Sequence, residues 1–202
     1  MTLWRGNDPL ILASQSPARR ALLANAGISF EAIPAAIDER AVQQISGLSA
    51  PGDVAALLAR EKALSVSMGH AGRFVVGADQ TLALGERLFS KPADRAQAAD
   101  QLRALAGRCH ELHSAVAVAR DGKILFADAS TARMTMRRLG EAMIDAYLDQ
   151  AGDIVTSSVG AYQLEGLGVH LFERIEGDHF TILGLPLLQL LAFLRGERLL
   201  GV

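Results

Sequence analysis

Three stretches of the chain carry side chains whose types and spacing suit chemistry on an anion. In Leu12-Ala-Ser-Gln-Ser-Pro-Ala-Arg-Arg20 a short apolar run leads into Ser16-Pro17 and then a helical pattern. A helix that starts there points free backbone N–H groups and a partial positive charge at whatever lies before it, which suits a phosphate. Ser14 and Ser16 add hydroxyls, and Arg19 or Arg20 supplies a planar cation. The same residues also read as an ordinary capped surface helix with solvated arginines. The second stretch ends the apolar run Phe74 to Ala78 in Asp79. Ligands of open α/β sheets gather beyond the carboxyl ends of strands, and a carboxylate there holds a divalent cation or takes a proton from water. A turn-forming aspartate is the competing reading. The third set, Asp38-Glu39, Lys62 and Ser90-Lys91-Pro92, supplies further acids and cations. Taken singly, each is typical of a solvated loop.

Other arrangements carry only weak signals. No G-x-x-x-x-G-K-[ST] occurs, so a P-loop kinase or GTPase is not expected, and Gly166-Leu-Gly168 lacks the third glycine, the preceding strand and the opening helix of a dinucleotide fingerprint. His110 and His113, an odd number of residues apart on a strand, point to opposite faces, which favours structural or surface roles over metal ligation. Cys109, the one cysteine, has no convincing base partner and permits no disulfide framework, in keeping with a reducing cytosol.

The elements that must position these groups alternate. Pro9 to Ala13 and Phe30 to Ile33 have strand length, and between them Ser16 as N-cap, Pro17 and Gly27 frame a helix over Ala18 to Ala26. Val54, Leu57, Leu58, Leu64 and Met68 fall on one side of a helix from about Asp53 to Met68, with Lys62 on the flank of that stripe and Glu61 awkwardly within it. Phe74 to Ala78 and Thr81 to Leu84 are extended, and Asp94 caps a helix to Ala106 that Gly107 ends. Asp121-Gly122 joins Cys109 to Ala119 and Lys123 to Asp128 as a hairpin, and Thr131 to Arg137 follows. A helix over Glu141 to Gln150, a glycine-punctuated loop at Gly160 to Gly168 and a strand at Val169 to Ile175 come next. Gly177-Asp178 turns the chain into His179 to Leu183, and Pro186 opens a last helix. This order predicts an α/β fold with a mixed sheet.

At 202 residues, 50% apolar and 21% charged, the chain has enough apolar material for a real core and reads as one domain, 1–202. Its 20 basic and 22 acidic side chains leave a formal net charge of -2, which argues against a nucleic-acid coat. A polyanion must therefore be met by a local cluster of charge. The longest greasy stretch, Ile182 to Leu194, is too short to span a bilayer and is broken by Pro186 and Gln189. No signal peptide or anchor is expected, no membrane partner, and a cytoplasmic location.

Taken in order, LASQSPARRALL, IDER, LAREKAL, VVGADQTL, SKP, GRCHELHSAVAV, GAYQLEGLGVHLFERIEG and LGLPLL resemble the Maf family of nucleoside triphosphate pyrophosphatases from Leu10 to about Leu194. The resemblance implies a twisted mixed sheet flanked by helices, with two lobes around a nucleotide cleft. It implies hydrolysis of a nucleoside triphosphate to the monophosphate and pyrophosphate with a divalent metal, Mg²⁺ or Mn²⁺, and makes a homodimer plausible. By motif, Asp79 is the proton acceptor for the attacking water; Ser14, Arg19, Lys62 and Lys91 line the triphosphate; Glu39 lies near the metal and the base, and with Asp79 forms the metal pair. Phosphoryl chemistry depends on positioning and charge neutralisation, which such a set supplies.

Three positions depart from the family's commonest pattern. Ala18 stands where arginine usually follows the proline, Gln80 follows the aspartate in place of threonine or serine, and Glu165 replaces the glutamine of the branch acting on dTTP and UTP. Gln80 and Glu165 are similar to the branch acting on 7-methyl-GTP, although that branch carries a bulky aromatic where this chain has Ala18. A carboxylate at residue 165 accepts from a purine N–H pair or favours a cationic methylated base, whereas a carboxamide suits a pyrimidine edge. The reading set against the enzyme is a nucleotide-binding regulator of cell division or septum formation with little catalysis. A phosphohydrolase that releases orthophosphate is the third.

Overall fold

Strands buried on both faces read as near-continuous apolar runs, and Leu10–Leu12 (β1) is one. The structure, a computed structural model, describes residues 3–201. Its remaining strands are Phe30–Ala32 (β2), Val75–Leu84 (β3), Arg87–Phe89 (β4), Cys109–Arg120 (β5), Lys123–Met136 (β6) and Phe172–Glu176 (β7). They form one sheet in the order β2-β1-β3-β5-β6-β7, with β4 paired to β3. β1 runs parallel to both β2 and β3, while β4 lies antiparallel to β3 and β7 to β6. The α-helices are Pro17–Asn25 (α1), Glu39–Ser46 (α2), Pro51–Ser67 (α3), Arg95–Leu105 (α4), Glu141–Ala151 (α5), His179–Ile182 (α6) and Leu187–Gly196 (α7). The expected mixed α/β architecture is therefore present.

The chain divides into two compact units, through both of which β3, β5 and β6 pass. The first holds the residues up to Gln80, Ser114–Ser130 and those from His179 on. Its strands sort their side chains by parity. Leu10, Leu12, Val76, Ala78, Val116 and Val118 pack with α1 and α7, while Ala115, Ala117 and Ala119 pack with Ala55, Ala59 and Ala63 of α3. Ile11, Ala13 and Val75 join Val66 of α3. The alanines let α3 approach closely. A Cβ on Gly77 would lie 2.1 Å from Ala59 O and 2.6 Å from Ala63 N, so no side chain fits there.

The second unit holds Thr81–His113 and Thr131–Asp178. It buries Leu82, Leu102, Leu105, Met134, Met136, Ile144, Leu148 and Leu171, and in it Asp94 caps α4 by accepting from Gln97 N. His110 sits among the rings of Tyr162 and Phe172, with Nε2 2.7 Å from Tyr162 Oη.

Several sequence expectations change. β3 runs unbroken through Asp79, so this residue sits mid-strand and not at a strand end. Cross-strand pairing continues past it: β4 registers Leu82 against Phe89. The expected strands Lys123 to Asp128 and Thr131 to Arg137 are one strand of 14 residues, Lys123–Met136, because the alternation runs through Asp128 and Ser130, which are half-buried on the face of Ala132 and Met134 while Ala127, Ala129 and Thr131 stay exposed. Val169 to Leu171 belongs to a 3₁₀ turn that precedes β7, and the segment after Gly177-Asp178 is a short helix. Glu39 to Ser46 carries no apolar periodicity that predicts an element. It is a helix, capped by Asp38 accepting from Ala41 N at 3.0 Å and closed by Gly47 at φ 67°.

Candidate active site

Parity decides where the reactive groups point. Asp79 has the same parity as Val75 and Gly77 and so faces α3. On α3 the buried positions Ala55, Ala59, Lys62, Ala63 and Val66 form the stripe against the sheet. Lys62 is thus not on the flank but within that stripe, its side chain 10% exposed. Its ammonium lies 2.6 Å from Asp79 Oδ1 and 2.7 Å from Glu39 Oε1. Glu39, half exposed at the first turn of α2, reaches that cation because Asp38 fixes the start of its helix. Gly77 sets the spacing: without a side chain there, α3 comes near enough for the lysine to meet the carboxylate two residues along.

Arg19 is held from the opposite direction. Its Nε donates to Gly184 O at 2.7 Å, and Nη1 donates to Ala78 O at 2.9 Å and to Ser14 Oγ at 3.2 Å. Ser14 Oγ also accepts from Ser16 N, and Ser16 caps α1 by accepting from Arg19 N at 3.4 Å. The arginine is 9% exposed and buried among acceptors, unlike a solvated surface cation. The helix is capped by Ser16, and Arg19, not the exposed Arg20, is the inward cation.

Electrostatics follow from burial. Desolvation raises the Asp79 carboxyl above its ordinary range, against the lowering pull of Lys62 and Arg19. A carboxylate so raised is a better proton acceptor near neutral pH. Desolvation lowers Arg19 while Asp79 and Glu39 pull it up, and a guanidinium remains a cation throughout.

The structure brings Ser14, Arg19, Glu39, Lys62 and Asp79 together within the first unit. Ala18 is half-buried on the first turn of α1, and Gln80 faces away from Asp79 toward Ser114 and α6. Lys91 and Glu165 are exposed residues of the second unit, one between β4 and α4 and the other in the glycine-punctuated loop. Sequence reasoning passed over Gly184 and Ser114. Glycine before Leu-Pro hinted at the first, since its φ of 89° is a conformation glycine adopts freely, and a hydroxyl amid the alanines and valines of β5 hinted at the second.

The donor set also bears on a metal. Among the described residues no group of three or more His, Cys, Asp or Glu side chains converges, but two carboxylates meet one cation at Lys62 Nζ. An oxygen-only pair fits a hard divalent ion that keeps water and substrate phosphate oxygens as its remaining ligands. Among the described residues, no helix is long and apolar enough to cross a membrane.

Comparison with known proteins places the chain in a family. A nucleoside triphosphate pyrophosphatase of Bradyrhizobium diazoefficiens is 72% identical over 202 residues, covering 100% of both chains. One from Rhodopseudomonas palustris is 71% identical over 202 residues, again covering 100% of both. A 7-methyl-GTP pyrophosphatase of Rhizobium meliloti is 54% identical over 189 residues, covering 92% of this chain and 94% of that protein. The family model described as Maf-like protein matches residues 9–197. On that span, and on identity maintained from end to end with its relatives, the chain belongs to the Maf family.

Proposed function

We propose that the protein hydrolyses nucleoside triphosphates to the monophosphate and pyrophosphate. The observation that carries this reading is the single ammonium of Lys62 held by Asp79 and Glu39, with the Arg19 guanidinium fixed in the same unit. A triphosphate brings about four negative charges, and cations fixed in a buried site neutralise them better than solvated ones. The names of the full-length relatives point to the same reaction. Ser14, Arg19 and Lys62 take the phosphates, and Lys91 is assigned to them by motif alone. Water attacks the α-phosphorus, its proton passes to Asp79, the α–β bridge bond breaks, and pyrophosphate leaves with the electron pair. Glu39 and Asp79 would hold a divalent cation, Mg²⁺ or Mn²⁺, whose bound charge lets carboxylates stand beside phosphates.

For the base, Ala18, Gln80 and Glu165 are specificity candidates by motif. Glu165 favours a cationic methylated purine over a pyrimidine, which accords with the 7-methyl-GTP pyrophosphatase among the relatives. Incubation with dTTP, UTP, GTP and 7-methyl-GTP in Mg²⁺, with pyrophosphate and orthophosphate measured separately, tests both levels. Pyrophosphate release that disappears in Asp79→Asn supports the enzyme, and direct orthophosphate release overturns it. Nucleotide binding without turnover favours the regulator. Equal turnover of dTTP and 7-methyl-GTP overturns the base preference.

A further inference from the structure

Gln80 is bound into a chain of hydrogen bonds that ends on Arg19. Its Nε2 donates to Ser114 Oγ at 2.9 Å, to Thr181 O at 3.0 Å and to Ile182 O at 3.0 Å. Two of these acceptors are backbone carbonyls, so the side of the carboxamide that faces them must carry the hydrogens. Ser114 Oγ spends its own hydrogen on Thr181 O at 2.7 Å, and Gly184 N donates to the same carbonyl at 3.1 Å. Thr181 O therefore gathers three donors, and they pin the turn from α6 into Gly184. At the far side of that turn Gly184 O accepts Arg19 Nε at 2.7 Å. Gly184 is sandwiched: a Cβ there would lie 3.4 Å from Arg19 Nε and 3.5 Å from Gln80 Oε1. With Nε and Nη1 committed to protein acceptors, Nη2 has no hydrogen-bond partner among the described residues and is the edge left for an anion.

We infer that Gln80 is a positioning residue for phosphate binding: through Thr181 and the Gly184 carbonyl it sets the angle of the Arg19 fork. Both amide hydrogens are used on protein acceptors, so a direct part in base choice falls to Oε1 alone. The influence of Gln80 on the phosphates passes through the guanidinium. The inference rests on the reading of Arg19 as a phosphate ligand. A shorter hydroxyl side chain at residue 80 would not reach the carbonyls of Thr181 and Ile182 together, and a carboxylate there would face them without a donor.

A double-mutant cycle tests it, with inorganic pyrophosphate in Mg²⁺ as the probe and calorimetry as the readout. Arg19→Lys retains the charge and loses the fork, and weakens pyrophosphate binding about tenfold. Gln80→Met retains the volume and loses the donors, and weakens it about fivefold, with KM for the nucleotide rising in parallel and kcat changing less than about twofold. In the Arg19→Lys background the same Gln80→Met substitution has no further effect, because no fork remains to be aimed. Equal losses in both backgrounds, or no loss in the single variant, overturn the inference. An Arg19→Lys protein that binds pyrophosphate as well as wild type overturns the phosphate reading instead. If Gln80→Met does not fold, Ser114→Ala, which removes one donor at Thr181 O, decides by the same cycle.

Discussion

Asp79 carries two opposed demands. As a base it must be ionised, yet desolvation raises its pKa, so the ionised form costs stability in the fold. For an acid whose folded value lies above its unfolded one, the proton is bound more tightly by the folded state. The cost is then zero below the unfolded value near 3.8 and grows as pH rises toward the folded value. Asp79→Asn, which mimics the protonated acid, should therefore melt a few degrees above wild type at pH 7 without metal or nucleotide, where about 1 kcal/mol corresponds to 2–4 °C. The gap should close at about pH 3.5, where both carry a neutral side chain. Thermal unfolding at the two pH values checks this, and a variant less stable than wild type at pH 7 counts against it. The nature of the acid was legible at this scale, since an ionisable residue interrupting VVGA and TLAL has no packing reason to be there. Its partners were not, because Lys62 is 17 residues away and Glu39 further still.

At the scale of elements, one contact governs the site: α3 against β3. Alanines at 55, 59 and 63 and the bare Gly77 bring the two backbones near enough for Lys62 to lie over Asp79. Gly77→Ala forces a methyl into Ala59 O and Ala63 N, which are backbone atoms and cannot swing aside. The helix must move, and overpacking of this kind costs about 1–3 kcal/mol, with more where backbone is displaced. We expect a loss of at least about 2 kcal/mol in urea unfolding. Activity should fall more than the residual folded fraction explains, because the lysine leaves with its helix. Wild-type stability in that variant would contradict the packing. Most element types were legible from caps and glycines: Ser16-Pro17, Asp94 and Asp121-Gly122 each do in the structure what their chemistry suggests. α2 was not, because none of its residues is buried and its pattern has no core to report, although Asp38 as a cap was a signal available in IDER.

Across the whole molecule, two buried titratable groups pull stability in opposite directions with pH. Asp79, in the first unit, costs more as pH rises. His110, in the second, is lowered by burial from 6.5 to about 4 and behaves in the other sense. For a base whose folded value is depressed, the unfolded chain takes up the proton first. Stability is complete above pH 6.5 and drains away as pH falls toward 4, by about 3 kcal/mol. His110→Gln should be less stable than wild type at pH 7, having lost its packing against Tyr162 and Phe172, and the difference should shrink toward pH 4. Urea unfolding of both proteins at pH 7, 5.5 and 4.5 measures it, and a constant difference would exclude a neutral buried histidine. The near balance of 20 basic and 22 acidic side chains conceals this internal arrangement, since a handful of charges placed inside matter more than the sum on the surface.

What the sequence by itself determined was local: where most helices start and stop, which apolar runs are buried, and the ordered motifs that mark the family. These follow from caps, glycines and periodicity within a few residues of one another. Only the tertiary structure decided which charges meet. The pairing of Lys62 with Glu39 and Asp79, and the path from Gln80 through Gly184 to Arg19, join residues as far as 165 apart in the chain. No local pattern encodes such distances. Strand parity, close helix packing and the burial of acceptors set them, and these exist only once the sheet has formed.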